Sequence, residues 1–392
     1  MSARKFPSRK TAIVGIGATE FSKDSGRTEL QLAVEAVKAA LDDAGLKPQD
    51  VQGLVTFMSD TSIEIEVARN LGIPGLTFFN RTPYGGGGTC ATVVLASLAI
   101  SAGLADVVVC YRAFNERSGH RYGQTMQPQA NTQGVLLGWY STFGLATPAS
   151  FVAMAARRYM HEHDARSEDF GRIAVACRRH AATNPKAWFY ERPITLEEHQ
   201  ASRWIVEPLH LLDCCQESDG GVAFVVTHAD RARDMRNKPA YVAAAAQGAS
   251  EGQEPMTSYS RSDLSSLPEM KAVGSQLWRQ SGLGPADIQT AVLYDHFTPF
   301  VLMQLEDLGF CERGSAKEFV KNGAIELGGK LPLNPHGGQL GEAYIHGMNG
   351  INEAVRQIRG TAVNQIAGAS NILVTAGTGL PTSGMILTAE QQ

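Results

Sequence analysis

Apolar positions recur at helical spacing over Leu30–Asp43 and again over Glu269–Gln280, and the same punctuation follows each stretch. Ala44-Gly-Leu-Lys-Pro-Gln-Asp-Val-Gln52 returns as Ser281-Gly-Leu-Gly-Pro-Ala-Asp-Ile-Gln289, offset by 237 residues. The glycine ends a helix, the proline sets the next turn, and the β-branched run opens a strand. Strands are therefore predicted over Val51–Met58 and Ile288–Asp295. A glycine-rich loop, a helix and a second strand come next in both places. In the first they are Tyr84-Gly-Gly-Gly-Gly88, Thr89–Ala102 and Asp106–Tyr111; in the second, Gly337–Gly350, Ile351–Arg359 and Asn371–Ala376. A helix–strand–loop–helix–strand unit that occurs twice is the mark of a duplicated α/β unit. Glycine loops that leave strands and open helices are where open α/β sheets take ligands.

Thr11–Gly17 reads as a first strand and Gly221–Thr227 as the last strand of the first unit. The charged segment Ala232–Lys238 follows, so the halves are taken as residues 1–235 and 236–392. Within the first half, residues 115–203 are rich in arginine, histidine and aromatics, with helices predicted at Ala149–His163 and Ser167–Thr183. This segment is read as an insertion covering the active-site end of the first half.

A chain of 392 residues has room for two domains and a large core. With 43% hydrophobic and 19% charged residues it is composed like a soluble globular protein. The net charge of −4 provides no field for nucleic acid or an anionic membrane. No apolar run approaches the roughly 18 to 20 residues of a spanning helix, so no membrane insertion is expected. Arg4, Lys5, Arg9 and Lys10 precede a short glycine-containing strand rather than a signal peptide, and Thr-Ala-Glu-Gln-Gln at the end is no peroxisomal address. Cys90, Cys110, Cys177, Cys214, Cys215 and Cys311 show neither metal spacing nor a disulfide framework. The expectation is a cytoplasmic protein with reduced thiols and no metal.

The candidate chemistry lies in Asn334-Pro-His-Gly-Gly-Gln-Leu-Gly-Glu-Ala-Tyr-Ile-His-Gly-Met-Asn-Gly350. This run resembles the thiolase pattern N-x-x-G-G-x-x-x-x-G-H-P-x-G-x-x-G. Asn334, Gly337, Gly338, Gly347 and Gly350 stand on its fixed positions, but Tyr344 replaces the histidine and Ile345 the proline. Leu211-Leu-Asp-Cys-Cys-Gln-Glu-Ser-Asp-Gly-Gly221 resembles the D-C-x-x-x-S-D-G-A segment of the sterol-carrier-protein-x, lipid-transfer-protein-like branch. Tyr294-Asp-His-Phe297 and Glu306-Asp-Leu-Gly-Phe-Cys311 resemble its H-D-C-F and E-x-L-G-L-C segments. The resemblance covers both halves. It implies a five-layered αβαβα thiolase fold built from two duplicated halves, and a homodimer formed through a strand of the first half.

The resemblance also implies four catalytic positions. Counting fourteen residues back from Ile100, the nucleophilic cysteine falls at Gly86. The second cysteine would lie within Val374–Gly384, yet no cysteine follows Cys311. Tyr344 occupies the histidine position and Tyr294 the asparagine-or-histidine position. Acyl-enzyme chemistry thus loses its nucleophile and its acid/base, while two phenols remain in an acyl-CoA-shaped cavity. This combination resembles the steroid side-chain-cleaving aldolases of the same branch. It implies retro-aldol cleavage of a 17-hydroxy steroid side-chain CoA thioester, giving a 17-ketosteroid and propionyl-CoA. CoA is then part of the substrate, and no covalent cofactor is implied. A small OB-fold/zinc-ribbon partner linked to a hydratase is implied as well.

Tyr294 and Tyr344 are accordingly the candidate acid and base, with Tyr344 assigned to the thioester and Tyr294 to the β-hydroxyl. Ionising a tyrosine of pKa about 10 at neutral pH costs on the order of 4 kcal/mol unless a neighbour helps. His296 and His346, each two residues from one of the tyrosines, are candidate cationic or hydrogen-bonding helpers. On a strand, Tyr294 and His296 would share a face. Asp295 and Asn334 are expected to orient the loops, and Gly377 and Gly379 to present N–H groups to the thioester oxygen. Arg112, Arg117 and Arg121 are candidates for the CoA phosphates. Glu342 is read as a base or a helix-start acid, and His336 as structural. Two other functions remain open at this point. One is a thiolase using Cys90, its thiol acidified by a helix N-terminus. The other is a non-catalytic lipid-carrier or scaffold subunit.

Overall fold

The computed structural model describes residues 6–83, 85–121, 123–124, 132–254, 259–377 and 382–391. The first half opens with β1 (Thr11–Ala18) and α1 (Glu29–Ala44). The Thr28 hydroxyl accepts from the Gln31 N–H to start α1, and Gly45 at φ 71° ends it. Then come β2 (Gly53–Phe57), α2 (Glu64–Leu71), β3 (Phe78–Thr82), α3 (Thr89–Ser101) and β4 (Val107–Asn115). The insertion carries α4 (Thr132–Ser141), α5 (Pro148–His163) and α6 (Ser167–Ala182), and β5 (Asp219–His228) closes the half. The second half runs β6 (Ala240–Gly248), α7 (Pro268–Ser281), β7 (Thr290–Val292), α8 (Thr298–Asp307), α9 (Met348–Arg359), β8 (Asn371–Ala376) and β9 (Thr382–Thr388).

Strand order is β3-β2-β4-β5-β1 in the first half and β7-β8-β9-β6 in the second. Each sheet has a parallel pair, β2 with β4 or β7 with β8, followed by antiparallel neighbours. The second half therefore repeats the first without its edge strand β3. The two sheets join through β1 and β6, where Ala12 faces Tyr241 and Ile13 faces Ala240.

Layering follows from how each helix distributes its apolar residues. α1 buries one stripe, Leu32, Ala33, Ala36, Val37, Ala40, Leu41 and Ala44, against the outside of the first sheet. α7 does the same for the second sheet through Met270, Val273 and Leu277. α3 carries no charged residue and is buried on most of its surface. With α9 it forms the layer between the sheets, touching strands of both. The result is the five-layered αβαβα thiolase fold, α1–sheet–α3/α9–sheet–α7. Among the described residues, no helix is long and apolar enough to cross a membrane.

Two local expectations change. The strand predicted over Ile288–Asp295 shortens to Thr290–Val292. The chain leaves the ladder there because the Tyr294 N–H donates to the Thr375 hydroxyl (2.9 Å) instead of a strand carbonyl. The inserted helices α5 and α6, expected over the first half, contribute Val152, Ala156, Phe170 and Ile173 to the core shared with α7 and α8. After α6, the Trp188 N–H donates to the Glu342 carbonyl (2.9 Å), so the insertion braces the second glycine loop.

Candidate active site

Tyr294 leaves β7 in a fixed pose. Gln304 of α8 donates to its carbonyl (2.9 Å) and accepts from the Thr375 hydroxyl (2.6 Å), the group that also receives the Tyr294 N–H. The next residue, Asp295, ties this turn to the second glycine loop by accepting from the N–H groups of Gln339 (2.9 Å) and Leu340 (3.3 Å). Asn334, itself at φ 49°, donates its side-chain amide to the Leu293 carbonyl (3.1 Å). Gly338 sits at φ 66°, and a Cβ there would lie 2.0 Å from an Asp295 carboxylate oxygen. Asp295 and Asn334 thus hold this turn against the second glycine loop.

The loops place the Tyr294 hydroxyl 3.1 Å from the Tyr344 hydroxyl, with the rings at 63° to one another. Tyr294 is 3% exposed, whereas Tyr344 is only partly buried. Gly86 lies directly under this pair: a Cβ built on it would stand 1.6 Å from the Tyr294 hydroxyl oxygen. The phenol thus fills the volume that any side chain at residue 86 would need. Glycine at 86 and tyrosine at 294 fit each other, and a cysteine at 86 cannot coexist with Tyr294 in this pose.

Cys90 is no substitute. It is fully buried in the layer between the sheets, and its thiol faces the Val374 carbonyl at 3.7 Å. Burial raises its pKa far above that of a free thiol, overturning the expected acidification by the helix N-terminus.

The expected cationic help from histidine is also corrected. The His296 ring lies 4.7 Å from that of Tyr294, yet burial pushes its pKa down to about 3. His346, at φ 50°, stacks on Phe114, and its Nδ1 accepts from Arg112 Nε (3.2 Å). Burial and the Arg112 cation hold it well below its ordinary value. Both imidazoles are neutral at neutral pH, so neither acidifies a phenol. Burial instead raises both tyrosines, Tyr344 further through its neighbours Tyr294, Cys215 and Glu116. The site presents two neutral phenols.

Arg112, a candidate for CoA phosphate, is 1% exposed, ion-paired to Asp60 and held between Phe57 and Phe114. It cannot reach a phosphate in solution. Arg117 and Arg121 lie at the rim, paired with Glu217. Glu342 accepts from the side-chain amides of Asn349 (2.8 Å) and Asn184 (3.2 Å), and so links the loop to α9 and the insertion. Buried His336 stands 3.9 Å from it, pushed down to about 4 by burial. Gly377 ends β8 at φ 69°; Gly379 lies outside the described residues, as does Tyr84.

Sequence reasoning missed Glu116. It follows β4, is 2% exposed and accepts a hydrogen bond from the Ser218 N–H. Burial, then the nearby Glu217 charge, pushes its carboxyl up to about 9. The Ser218 hydroxyl in turn accepts from the Tyr344 N–H (3.1 Å). The available signal was an acid just after a mostly apolar strand, but it stands at the start of the segment read as an insertion covering the active-site end of the first half. Among the described residues no histidine, cysteine and carboxylate cluster could hold a metal.

This geometry is a thiolase scaffold with phenols at the positions expected for histidine and for asparagine or histidine, and the chain belongs to the thiolase family. Residues 11–230 match the thiolase N-terminal domain and residues 250–389 the thiolase C-terminal domain-like family. The chain is 65% identical over 383 residues to the steroid side-chain-cleaving aldolase of Thermomonospora curvata, covering 97% of this chain and 98% of that one. It is 64% identical to the 17-hydroxy-3-oxo-4-pregnene-20-carboxyl-CoA lyase of Mycobacterium tuberculosis, covering 97% and 99%. The solved Ltp2-ChsH2(DUF35) aldolase superposes with a TM-score of 0.94 at 64% identity, over 97% of this chain and 98% of that one.

Proposed function

We propose that this protein is a carbon–carbon lyase acting on a 17-hydroxy steroid side-chain CoA thioester. It releases a 17-ketosteroid and propionyl-CoA in a retro-aldol reaction. The two relatives near 65% identity, one named a side-chain-cleaving aldolase and the other a steroid carboxyl-CoA lyase, support the reaction and the substrate class. The observation that carries the mechanism is the Tyr294–Tyr344 hydroxyl pair over a residue with no side chain, Gly86.

In this reading the β-hydroxyl meets Tyr294 and the thioester oxygen meets Tyr344. The β-hydroxyl gives its proton to the Tyr294 hydroxyl, which passes its own to Tyr344 and so towards Cα, and the C–O bond becomes the ketone as the Cα–Cβ pair moves into the thioester. The resulting enolate is stabilised by the Tyr344 hydroxyl and by the backbone N–H groups of Gly377 and Gly379. Protonation of Cα completes propionyl-CoA. No covalent intermediate forms, and the fixed phenols supply orientation and hydrogen bonds rather than a nucleophile. His296 and His346 act as neutral walls of the pocket and orient the tyrosines.

The chain is proposed to work as a homodimer through β3, an edge strand whose Phe79 is exposed, as are Met58, Ile63 and Ile65. A DUF35-type, OB-fold/zinc-ribbon partner is proposed from the solved Ltp2-ChsH2(DUF35) relative. All six cysteines are free, in keeping with a cytoplasmic home. The test is incubation of the chain, with and without such a partner, with a 17-hydroxy steroid-CoA. The 17-ketone and propionyl-CoA in equal amounts are expected. Product formation undiminished in both Tyr294→Phe and Tyr344→Phe would refute the mechanism, and no products with or without partner would favour the scaffold alternative.

A further inference from the structure

The two glycine loops meet at His346, and its pose is set from outside both of them. It stands two residues after Tyr344 at φ 50°, and Gly347 follows at φ 84°. These two residues carry the chain beneath Tyr294: a Cβ on Gly347 would lie 3.1 Å from two carbons of the Tyr294 ring. The His346 ring meets the Tyr344 ring edge-on, with centroids 5.2 Å apart. On its other side, a Cβ on Gly85 would lie 3.2 Å from His346 Cε1 and 3.4 Å from Nε2. A histidine in the left-handed region stays there only when its surroundings hold it. The holders are the Thr89 hydroxyl, which donates to the His346 carbonyl, and Arg112 of β4, whose Nε–H donates to Nδ1 (3.2 Å).

We infer that Arg112 is a positioning residue of the active site: it fixes His346 as the tautomer protonated on Nε2 and, through His346, the places of both tyrosines. The inference rests on the tyrosine reading above. A guanidinium has only donors and keeps its charge at any working pH. Nδ1 must therefore offer its lone pair to Arg112. A neutral imidazole so engaged carries its single proton on Nε2, on the ring edge that faces Gly85. A proton on Nδ1 would set one N–H against another, so the same contact keeps the ring neutral. The lowered pKa of His346, from burial and then the Arg112 cation, agrees with this geometry.

Arg112 cannot swing away. It pairs with Asp60, just after β2, and Asp60 also receives the Thr56 hydroxyl. The guanidinium lies over Phe114, 4.2 Å from the ring centre, with Phe57 at 5.3 Å. Both charged side chains are buried. Desolvating such a pair offsets much of its attraction, so stability alone is a weak reason for it. Orientation is a better one, because Asp60, Arg112 and His346 form a line of direct contacts from the first sheet to the second glycine loop. The titratable and charged groups facing His346 are Arg112 on β4 with Asp60 behind it, His296 after β7, and Tyr344 on its own loop.

The test uses the chain with its DUF35-type partner and a 17-hydroxy steroid-CoA. It compares the wild type with Asp60→Asn/Arg112→Met, Arg112→Lys and Tyr344→Phe. The double variant removes both buried charges together, and methionine fills the slot between Phe57 and Phe114 without stranding Asp60. It should lower kcat by about 10–100-fold with KM within about threefold, because the phenols lose their places while substrate binding is kept. Arg112→Lys keeps a cation opposite Asp60 but not the planar Nε–H, and its kcat should lie between the two. Nitrogen-15 NMR of the histidine-labelled chain, with the His346 signal identified by its loss in His346→Phe, gives a readout that packing alone would not move. In the wild type His346 should be the Nε2–H tautomer and should not titrate between about pH 8 and 5.5. In the double variant it should populate both tautomers and titrate, with a step in kcat at the same pH.

A wild-type His346 protonated on Nδ1, or one titrating near its ordinary value of about 6.5, overturns the inference. So does a double variant with wild-type kcat and an unchanged tautomer. If the double variant does not fold, Arg112→Lys with wild-type kcat and tautomer overturns it instead. An inactive Tyr344→Phe beside normal Arg112 variants sinks this inference alone. An active Tyr344→Phe sinks the reading beneath it, and the His346 tautomer is still read independently.

Discussion

The two glycine-rich loops occupy corresponding places in the two halves, each leading into a helix of the central layer, yet they do opposite things. The first, Gly85–Gly88, brings volume to zero: Gly86 lies where Tyr294 needs space. The second, Gly337–Gly350, brings groups in. It presents Tyr344, receives Asp295 on two backbone N–H groups and anchors Asn349 on Glu342. Removing a side chain from one loop is what lets a side chain from the other half enter. The chemistry at the centre of this fold is therefore decided by how the loops divide a shared volume, and a residue that contributes nothing is as informative as one that contributes a phenol.

The strongest way to break this comparison is at the second loop's side. Tyr294→Phe and Tyr344→Phe should each lower kcat by about 10²–10⁴-fold while leaving thermal unfolding nearly unchanged, read from product formation and a melting curve. Gly86→Ala attacks the same contact from the first loop. Its methyl would displace the Tyr294 hydroxyl, so kcat should fall about 10²-fold and stability by about 1–3 kcal/mol. In a Tyr294→Phe background the stability loss should shrink, because the clashing oxygen is gone; additive losses in a denaturant-unfolding cycle would contradict the assigned fit.

Acid should distinguish the loops as well. The Gly337–Gly350 side carries His296, His336 and His346, all with folded pKa values lowered by burial, whereas Gly85–Gly88 has no titratable group. A lowered folded pKa means that the unfolded chain binds more protons. Stability from these residues is complete above about pH 6.5 and falls as pH drops towards 4, by about 1.4 kcal/mol per pH unit for each histidine then titrating only in the unfolded chain. The buried carboxyls Glu116, Asp295 and Glu342, with folded pKa values raised by burial, oppose this decline. The histidine share is therefore read by comparing denaturant unfolding of the wild type and a His336→Asn variant at pH 7, 6 and 5, where the variant's stability should fall less steeply. The smallest effect is expected at Cys90. Cys90→Ala should leave kcat within about twofold and lower stability by about 1–2 kcal/mol, as loss of a small buried side chain does.

Much of the fold was legible because its signals are local. The paired Ala44-Gly-Leu and Ser281-Gly-Leu punctuation marks helix ends that the structure realises at Gly45 and Gly282, both with positive φ. The uncharged α3 sequence announces a helix packed on both sides. The absence of cysteine after Cys311 and the phenols at 294 and 344 could be counted. Three readings failed where a contact or a charge state mattered. Arg112 looks like a phosphate ligand until its burial against Asp60 is seen. His296 and His346 look like cations until burial makes them neutral. Glu116, within the segment read as a covering insertion, draws no notice until it is found buried just after β4.

The sequence alone determined the duplicated helix–strand order, the loss of both thiols and the identity of the two phenols, since these depend on residue type and on spacing within a few turns. Only the tertiary structure decided that residues 50 positions apart bring their hydroxyls to 3.1 Å, that Gly86 makes room for them, and which groups are charged. The physical reason is that distance and protonation state depend on burial and on neighbours contributed by other elements, and neither quantity is written along the chain.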